Sequence, residues 1–332
     1  MKNNQPIISI IIPIYNVEDF LADSLLSVVN QSYRDFEVIL VNDGATDLSA
    51  TIAEDFVQKD SRFRLIHQEN RGLSGARNTG LREALGEYVF YLDSDDMLLE
   101  NALELLINAA VNYQGDVVQG NFYYDYPNYW LLNQQQQKEI EVYNREEAMW
   151  ALLEHKTVLN FAWGKLIRRE LAQRYHFPEG KFYEDTFWKY KIIQDVERYI
   201  AIRQPILYYV QRGSAISGAF SIRNLDQLEG EIERLEYVKK HYPKKFENQA
   251  LKMLQHKVQR HYSLLSCINQ QEQQIYKEKL QDIESDLKLK EKFPNATCSL
   301  YNKLNKIILR LKNRVFGSKN WKRIEKVKKR NK

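Results

Sequence analysis

Three carboxylates follow a short apolar run in the chain, as Tyr91-Leu92-Asp93-Ser94-Asp95-Asp96. The pattern predicts a strand that brings these acids to its carboxyl end, which is where open α/β sheets bind ligands. Carboxylate oxygens at this spacing suit Mg2+ or Mn2+, since such hard cations take one or two protein ligands and leave their other positions to water and phosphate. The acids therefore indicate metal-assisted chemistry on a phosphorylated substrate. They could instead cap the helix predicted to begin near Leu98.

A mostly parallel sheet is the element expected to position these acids. Residues 7–14, 36–41, 63–66 and 88–92 are mainly apolar runs, typical of strands buried on both faces, and helical patterns lie between them. Alternating strands and helices predict right-handed crossovers. The expected fold class is α/β, a mostly parallel sheet flanked by helices.

Three more segments are expected at the same edge of the sheet. Ile12-Pro13-Ile14-Tyr15-Asn16 ends the first strand, because proline stops strand pairing. Val41-Asn42-Asp43-Gly44-Ala45-Thr46-Asp47 ends the second, where Asp43 could accept hydrogen bonds from a base or a ribose. Asn70-Arg71-Gly72-Leu73-Ser74-Gly75-Ala76-Arg77-Asn78 opens a helix after the third strand, and its Arg77 guanidinium could bind a diphosphate bidentately.

Two adjacent acids, Glu184 and Asp185, begin a further predicted helix. Aromatic residues surround them in the sequence, among them Tyr183 and Trp188. Such a setting could desolvate a carboxylate in part and raise its basicity. The two acids are therefore candidates for general-base chemistry.

Taken in this order, these segments resemble the family 2 inverting glycosyltransferases of the GT-A fold, in their bacterial capsule, exopolysaccharide and teichoic-acid branch. The resemblance covers residues 6–216, and its two departures are mild: Asn42-Asp43 and Ala45 stand where the family often has Asp-Asp-Gly-Ser. The motifs that carry it are Ser9-Ile-Ile-Ile-Pro-Ile-Tyr-Asn16, Val41-Asn-Asp-Gly-Ala-Thr-Asp47, Asn70-Arg-Gly-Leu-Ser-Gly-Ala-Arg-Asn78, Asp93-Ser-Asp-Asp96 and Glu184-Asp185.

The resemblance implies a role for each matching residue. Asp95 would be the direct ligand of a Mn2+ or Mg2+ ion, and Asp93 would share the metal site and lie nearer the ribose. Asp185 would be the catalytic base, and Glu184 would contact the acceptor. The residues implied to bind the nucleotide are Pro13, Tyr15, Asp43, Asn70, Arg77, Asp93 and Ser94, with Arg212 and Ser217 in a loop that closes over the diphosphate.

The reaction implied is transfer of a sugar from a UDP-sugar to a hydroxyl of a glycan or a lipid-linked glycan. One base without a second carboxylate nucleophile fits a single displacement with inversion. A nucleotidyltransferase is an alternative, but such enzymes commonly carry a glycine-rich basic loop after their first strand, and residues 13–18 form no such loop. Another is a non-catalytic sugar-nucleotide-binding partner subunit of a glycosyltransferase complex, for which Asp185 would have no evident use.

Length and composition predict one enlarged catalytic domain and a smaller C-terminal element. The chain has 332 residues, of which 44% are hydrophobic and 28% charged, as in a folded soluble protein. The predicted divisions are a GT-A catalytic domain at 1–220, a helical region at 221–295 and a basic amphipathic tail at 296–332. Within the first, residues 1–116 would form the nucleotide-binding half and residues 117–220 the acceptor half.

An aromatic segment, residues 121–130, precedes a glutamine run at 134–137. The pair predicts a hairpin with the glutamines at its polar tip. The aromatic rings could stack on sugars, or they could pack on neighbouring strands.

The tail carries most of the positive charge of the chain, with thirteen Lys and Arg against one Glu between residues 301 and 332. Its apolar residues recur at helical spacing, so it could lie on an anionic membrane or dock on the catalytic domain or a second subunit. No nucleic-acid recognition motif accompanies it.

No apolar run or leader pattern predicts membrane insertion or secretion, so the expected location is the cytoplasm, at the inner face of the membrane if the tail binds there. Cys267 and Cys298 match neither a redox pair nor a zinc site.

Overall fold

The computed structural model of the protein describes residues 6–136, 138–211 and 220–292. These residues form two compact units, 6–211 and 220–292. The first unit alternates strands and helices, and the second is helical. Arg212, Ser217 and the predicted basic tail at 296–332 lie outside the described residues.

The first unit is built around one large sheet. Its strands are β1 Ile8–Ile14, β2 Phe36–Asn42, β3 Phe63–His67, β4 Tyr88–Tyr91, β5 Met97–Leu98, β6 Val117–Tyr126, β7 Tyr129–Leu132, β8 Ile140–Tyr143, β9 Lys165–Arg168 and β10 Tyr199–Val210. Its helices are α1 Glu18–Val29, α2 Ser49–Lys59, α3 Gly72–Glu83, α4 Ala102–Tyr113, α5 Arg145–Glu154, α6 Arg169–Gln173 and α7 Glu184–Gln194.

The strand order is β3-β2-β1-β4-β9-β6-β10-β5, with β7 paired to β6 and β8 paired to β10. Strands β3, β2, β1 and β4 are parallel neighbours, and β10 is parallel to β6. Because β9 is antiparallel to both β4 and β6, strands β6 and β10 point the same way as the first four. The carboxyl ends of six strands therefore meet at one edge, which confirms the predicted mostly parallel sheet.

Close packing of α3 on the sheet helps to position this edge. Every residue of β1 is buried, and Gly80 of α3 faces Ile11 so closely that a Cβ there would lie 2.3 Å from Ile11 Cγ2. A larger residue at position 80 would push the helix away from the strand. This close approach fixes the distance between α3 and the sheet. It therefore also fixes the positions of the side chains that lie one helical turn before Gly80.

The aromatic segment forms the predicted hairpin, but the predicted tip is wrong. Strands β6 and β7 join through Pro127 and Asn128, and the glutamines follow β7. Gln136 is buried and donates from Nε2 to the backbone oxygen of Ala201 at 2.8 Å. Proline and asparagine supply the turn, while the Gln136 amide satisfies a carbonyl beside the register shift in β10.

The second unit consists of the helices α8 Leu225–His241, α9 Lys244–Leu264, α10 Gln270–Asp286 and α11 Leu289–Lys292. Leu228, Leu235 and Val238 are buried on one face of α8, at the spacing typical of an amphipathic helix. Across both units, the helices described include none with the length and apolar character needed to cross a membrane.

Candidate functional site

The ends of β1 and β2 lie side by side at the carboxyl edge. Pro13 pairs in register with Val41, and the backbone nitrogen of Asp43 donates to the oxygen of Ile14 at 2.9 Å. The buried Asp43 carboxylate accepts from the backbone nitrogen of Arg71 at 2.8 Å and from Gln68 Nε2 at 2.6 Å. Asp43 is therefore held in one orientation by the segment that leads into α3.

Two other residues predicted to bind the nucleotide lie at the same edge. Tyr15, directly after β1, is 50% exposed. Asn70 precedes α3, and its side-chain oxygen accepts from the backbone nitrogen of Gly72 at 3.2 Å. Gly72 has φ of +73°, a left-handed conformation that favours glycine. The chain can therefore turn sharply from this loop into the helix.

Arg77 joins three elements of the site. Its side chain is 2% exposed, and Nη2 lies 2.7 Å from Asp93 Oδ1 while Nη1 forms an ion pair with Glu184. The ring of Phe177 lies 5.3 Å from the guanidinium carbon, and the Nε atom is buried without a hydrogen-bond partner. Burial works against the charge of Arg77, but Asp93 and Glu184 outweigh it and raise its pKa.

These ion pairs connect the end of β4 to the start of α7. The predicted diphosphate contact of Arg77 and the predicted acceptor contact of Glu184 stay predictions. What the structure adds is an intramolecular partner for each side chain. Arg77 thus holds two carboxylates from distant parts of the sequence at a fixed separation.

Further contacts tie α3 to the segment before α7. Asn78 Nδ2 donates to the backbone oxygen of Phe177 at 2.8 Å, and the backbone nitrogen of Phe177 donates to Asn78 Oδ1 at 2.9 Å. On the surface, Arg71 Nη2 lies 2.6 Å from Glu179 Oε1. The first turn of α7 is therefore positioned relative to the loop that holds Asp43.

Asp185 lies in that first turn and is partly buried. Burial raises the pKa of its carboxyl group from the usual 3.8 to about 7, and the negative charge of Glu184 acts in the same direction. The positive charges of Arg77 and Lys165 oppose the rise. A carboxyl group with this pKa can exchange a proton near neutral pH, which suits a general base.

Two buried lysines act electrostatically on Asp185. Lys165, at the start of β9, donates from Nζ to two backbone oxygens just before the strand. Lys189, one helical turn after Asp185, donates to the Tyr199 hydroxyl at 3.2 Å. Burial lowers the pKa of Lys165 to about 7 and that of Lys189 well below its usual value. Both lysines favour the ionised form of Asp185 whenever they carry a proton.

Sequence reasoning missed these two lysines. The spacing of Asp185 and Lys189 was a usable signal, because residues four apart share one face of a helix. Lys165 gave a weaker signal, since nothing in the sequence shows that the start of β9 lies near Asp185.

The acidic motif turns sharply after β4. The backbone nitrogen of Asp96 donates to the oxygen of Asp93 at 3.0 Å, and the fully buried Asp96 accepts from the backbone nitrogen of Val210 at 2.9 Å. Ser94 is buried, whereas Asp93 and Asp95 are partly exposed. Asp96 therefore fixes the end of β10 to the motif and leaves Asp95 at the edge.

A metal site made by the protein alone is not evident in the part of the chain that the structure describes, which holds no cluster of three or more His, Cys, Asp or Glu suited to a metal ion. Mg2+ and Mn2+ commonly need only one or two carboxylates when phosphate supplies the rest. Asp95 and the remaining oxygen of Asp93 fit that simpler requirement.

The family model described as glycosyl transferase family 2 matches residues 9–175. The chain belongs to glycosyl transferase family 2. The matched range includes Asp43, Arg77 and the acidic motif, and it ends before Glu184 and Asp185. For this family 2 chain, the family match thus includes the motifs predicted to bind the donor, and it does not include the start of α7.

Curated relatives extend the likeness beyond that range. The family 2 chain is 33% identical over 220 residues to the glycosyltransferase GlyG of Streptococcus pneumoniae, an alignment that spans 63% of this chain and 72% of GlyG. It is 35% identical over 217 residues to GlyA of the same organism, spanning 62% of this chain but 31% of GlyA. The uncharacterized glycosyltransferase EpsJ of Bacillus subtilis is 35% identical over 218 residues, spanning 64% of this chain and 63% of EpsJ.

Solved structures establish the fold of the family 2 chain as GT-A. S. aureus TarS 1–349 in complex with UDP-GlcNAc superposes with a TM-score of 0.65 at 22% identity, covering 80% of this chain and 77% of that one. The mannosyltransferase PcManGT of Pyrobaculum calidifontis, in complex with GDP-Man and Mn2+, gives a TM-score of 0.52 at 16% identity, covering 95% and 88%.

Proposed function

We propose that the protein is an inverting glycosyltransferase that moves a sugar from a UDP-sugar to a hydroxyl of a glycan acceptor. Residues 1–220 would be the catalytic domain. The acceptor would be a glycan or a lipid-linked glycan of a capsule, exopolysaccharide or cell-wall polymer, reached in the cytoplasm or at the inner face of the membrane. Membership of glycosyl transferase family 2 supports the reaction class.

One observation carries the assignment of roles. Arg77 pairs with both Asp93, at the end of β4, and Glu184, next to Asp185. The donor-side motif and the candidate base are thereby held together by one buried cation. A transferase needs such a link, because the leaving group and the attacking hydroxyl must lie on opposite sides of one anomeric carbon.

Asp185 would act as the general base. As the acceptor oxygen forms its bond to the anomeric carbon, the bond from that carbon to the diphosphate oxygen breaks, and Asp185 takes the proton of the hydroxyl. The raised pKa of Asp185 makes it a better proton acceptor than an ordinary aspartate. A single displacement inverts the anomeric configuration.

The donor side would be formed by the loops after β1, β2 and β4. Asp43 would bind the base or the ribose through a carboxylate that Gln68 and Arg71 hold in place. Asp95 and Asp93 would hold a Mn2+ or Mg2+ ion. Such an ion, when bound, neutralises the charge that develops on the departing diphosphate.

The neighbouring structures support a nucleoside-diphosphate sugar as the donor. The TarS complex contains UDP-GlcNAc and the PcManGT complex contains GDP-Man and Mn2+. A donor screen should therefore compare UDP-glucose, UDP-galactose and their N-acetylated forms with GDP-mannose, each with and without Mn2+. We expect metal-dependent release of UDP and no comparable release of GDP.

Asp185→Asn tests the base. The amide keeps the size and polarity of the side chain but cannot accept the proton, so transfer should fall by about 10²–10⁴-fold while UDP binding persists. The measurement is sugar transfer with the donor chosen by the screen, together with UDP affinity by calorimetry.

Asp195→Asn is the matched control, because Asp195 lies at the other end of the same helix, where it pairs with Arg174 at 3.0 Å. Its transfer rate should stay near that of the unaltered protein. Transfer by Asp185→Asn above a tenth of the unaltered rate would rule out Asp185 as the base.

A further inference from the structure

The aromatic residues around β6 divide between the two faces of the sheet, because side chains alternate along a strand. Phe122 and Tyr124 lie on one face, where they pack with Trp163 and Tyr209. All four of these residues belong to the hydrophobic core or pack directly against it. Packing in the core is therefore enough to explain why these four residues are aromatic.

The opposite face carries a second set, Tyr123, Trp130 and Tyr208, here called the aromatic patch. The ring centroids of Tyr123 and Tyr208 are 5.6 Å apart, and those of Trp130 and Tyr208 are 4.4 Å apart. All three residues are partly exposed, and the core that includes Tyr124 and Tyr209 does not include them. Contiguous apolar groups on a protein surface can form a binding site for a ligand.

The patch is continuous with the acidic motif. Tyr208 pairs in register with Met97, which directly follows Asp96, and Tyr208 also pairs with Tyr123. Two residues after Tyr208, the backbone nitrogen of Val210 donates to Asp96. The aromatic patch thus lies on the strand that is hydrogen-bonded to the acidic motif of the candidate donor site.

The patch also shares a face of the sheet with the candidate base. Along β6, Tyr123 lies on the same face as Gln119, whose side-chain oxygen accepts from the Tyr199 hydroxyl at 2.8 Å. The same hydroxyl accepts from Lys189 of α7. The helix that begins with Glu184 and Asp185 therefore packs on the face that presents the patch.

We propose that the aromatic patch binds a sugar ring of the acceptor glycan, next to the sugar whose hydroxyl reacts. The proposal rests on the proposed function, since it names the substrate class of that site. Sugars have apolar C–H faces and polar rims, and tyrosine and tryptophan rings offer an apolar surface together with a polar group. The acceptor is therefore an oligosaccharide chain, and a single sugar would leave the patch unused.

Binding of free disaccharides tests the patch without any donor. Lactose, cellobiose and chitobiose would be measured one by one by saturation-transfer NMR on the full chain, with the affinity taken from titration. Trp130→Leu keeps an apolar side chain on β7 but removes the ring, so at least one disaccharide that binds the unaltered protein should bind about tenfold more weakly.

Tyr129→Leu is the matched control, because Tyr129 is the neighbouring residue on the opposite face and stacks with Tyr126 at 4.8 Å. It should leave disaccharide binding within twofold. If Trp130→Leu fails to fold, as judged by thermal unfolding, Tyr208→Val serves instead, since a β-branched residue suits a strand.

Three results would overturn the proposed role of the aromatic patch. They are disaccharide binding by Trp130→Leu equal to that of the unaltered protein, an equal loss of binding in both variants, and no binding of any disaccharide to the unaltered protein. None of these results touches the donor screen, which scores UDP release. The proposed function and the patch can therefore fail separately.

Discussion

The two units each contain a buried ionic cluster, and the clusters are built differently. In the first unit, Arg77 pairs with Asp93 and Glu184, which come from different elements. In the second, Arg234 pairs with Glu231 three residues earlier on α8, and Lys257 of α9 lies 3.3 Å from the same Glu231. One cluster needs the whole fold to assemble, whereas the other forms largely within one helix and its neighbour.

The difference lies in what stands beside each cluster. Next to Glu184 lies Asp185, a third carboxylate whose pKa is raised and which is partly exposed at the edge of the sheet. Glu231 and Arg234 are both nearly inaccessible. A buried ion pair costs desolvation and is weak evidence for stability alone. In the proposed mechanism the first cluster positions the catalytic base, and the second is expected to serve the packing of α8 on α9.

Arg77→Met should have the largest effect and break the first cluster. It leaves Asp93, Glu184 and Asp185 close together without their cation, so the free energy of unfolding should fall by about 3–5 kcal/mol. Transfer should be lost as well, because the like charges raise the pKa of Asp185 further and the start of α7 shifts. Denaturant unfolding and transfer per folded molecule measure the two effects.

Arg234→Met is the counterpart in the second cluster. Lys257 still neutralises Glu231, so the loss of stability should be smaller, about 2 kcal/mol. Transfer per folded molecule should stay within twofold of the unaltered protein. If both variants lose transfer to the same degree, the two clusters are functionally equivalent and the comparison fails.

Asp95→Ala should separate function from stability at the edge of the site. Asp95 is partly exposed, so its loss should cost less than about 1 kcal/mol of stability. The diphosphate would then face Asp93 and Asp96 without a cation held between them, and metal-dependent UDP affinity should fall at least about tenfold. Calorimetry with and without Mn2+ checks this, and unchanged metal-dependent binding would remove Asp95 from the metal site.

The raised pKa of Asp185 predicts a pH effect on stability with a definite sign. The folded state holds the Asp185 proton up to about pH 7, whereas the unfolded chain releases it near about pH 4. Between those values the folded state binds more protons, so its stability falls as pH rises, by up to about 1.4 kcal/mol per pH unit from this group.

Asp185→Asn removes that penalty. The stability of this variant relative to the unaltered protein should therefore grow from about pH 4 to about pH 7 and level off above. Transfer by the unaltered protein should rise over the upper part of the same range, as Asp185 loses its proton. A stability difference that does not change with pH would show that Asp185 ionises like an exposed aspartate.

The sequence was a good guide where local pattern decides structure. Strands β1, β2, β3 and β4 are apolar runs between amphipathic helices, and each was predicted within a few residues. Strands β8 and β9 were not, because four-residue strands such as Ile140–Tyr143 carry too little pattern to distinguish them from loops.

The candidate site divides in the same way. Motif spacing was enough to place Asp43 and Asp93 at the carboxyl ends of strands. The burial of Arg77 between Asp93 and Glu184 could not be predicted, since it depends on contacts between residues that lie far apart in the sequence. The same holds for Lys165, whose effect on Asp185 arises from the strand order of the sheet.

The smallest expected effect belongs to the exposed pair of Arg71 and Glu179. The two charged groups lie 2.6 Å apart, and the side chains of Arg71 and Glu179 are 43% and 40% exposed. Such pairs contribute less than about 1 kcal/mol and are screened by salt. Arg71→Ala should therefore lower stability slightly at low salt, and the difference should shrink at about 1 M salt, where the screening length is about 3 Å.

UDP affinity should stay within twofold in Arg71→Ala, because the contact with Asp43 comes from the backbone nitrogen of Arg71, which alanine keeps. Glu179→Gln is the matched variant, since it removes the partner charge and leaves Arg71 in place. Both variants should lose the same small amount of stability if the pair acts only as a surface link. A loss of transfer greater than tenfold in Arg71→Ala, without the same loss in Glu179→Gln, would place the Arg71 side chain in the site and extend the functional cluster beyond Arg77.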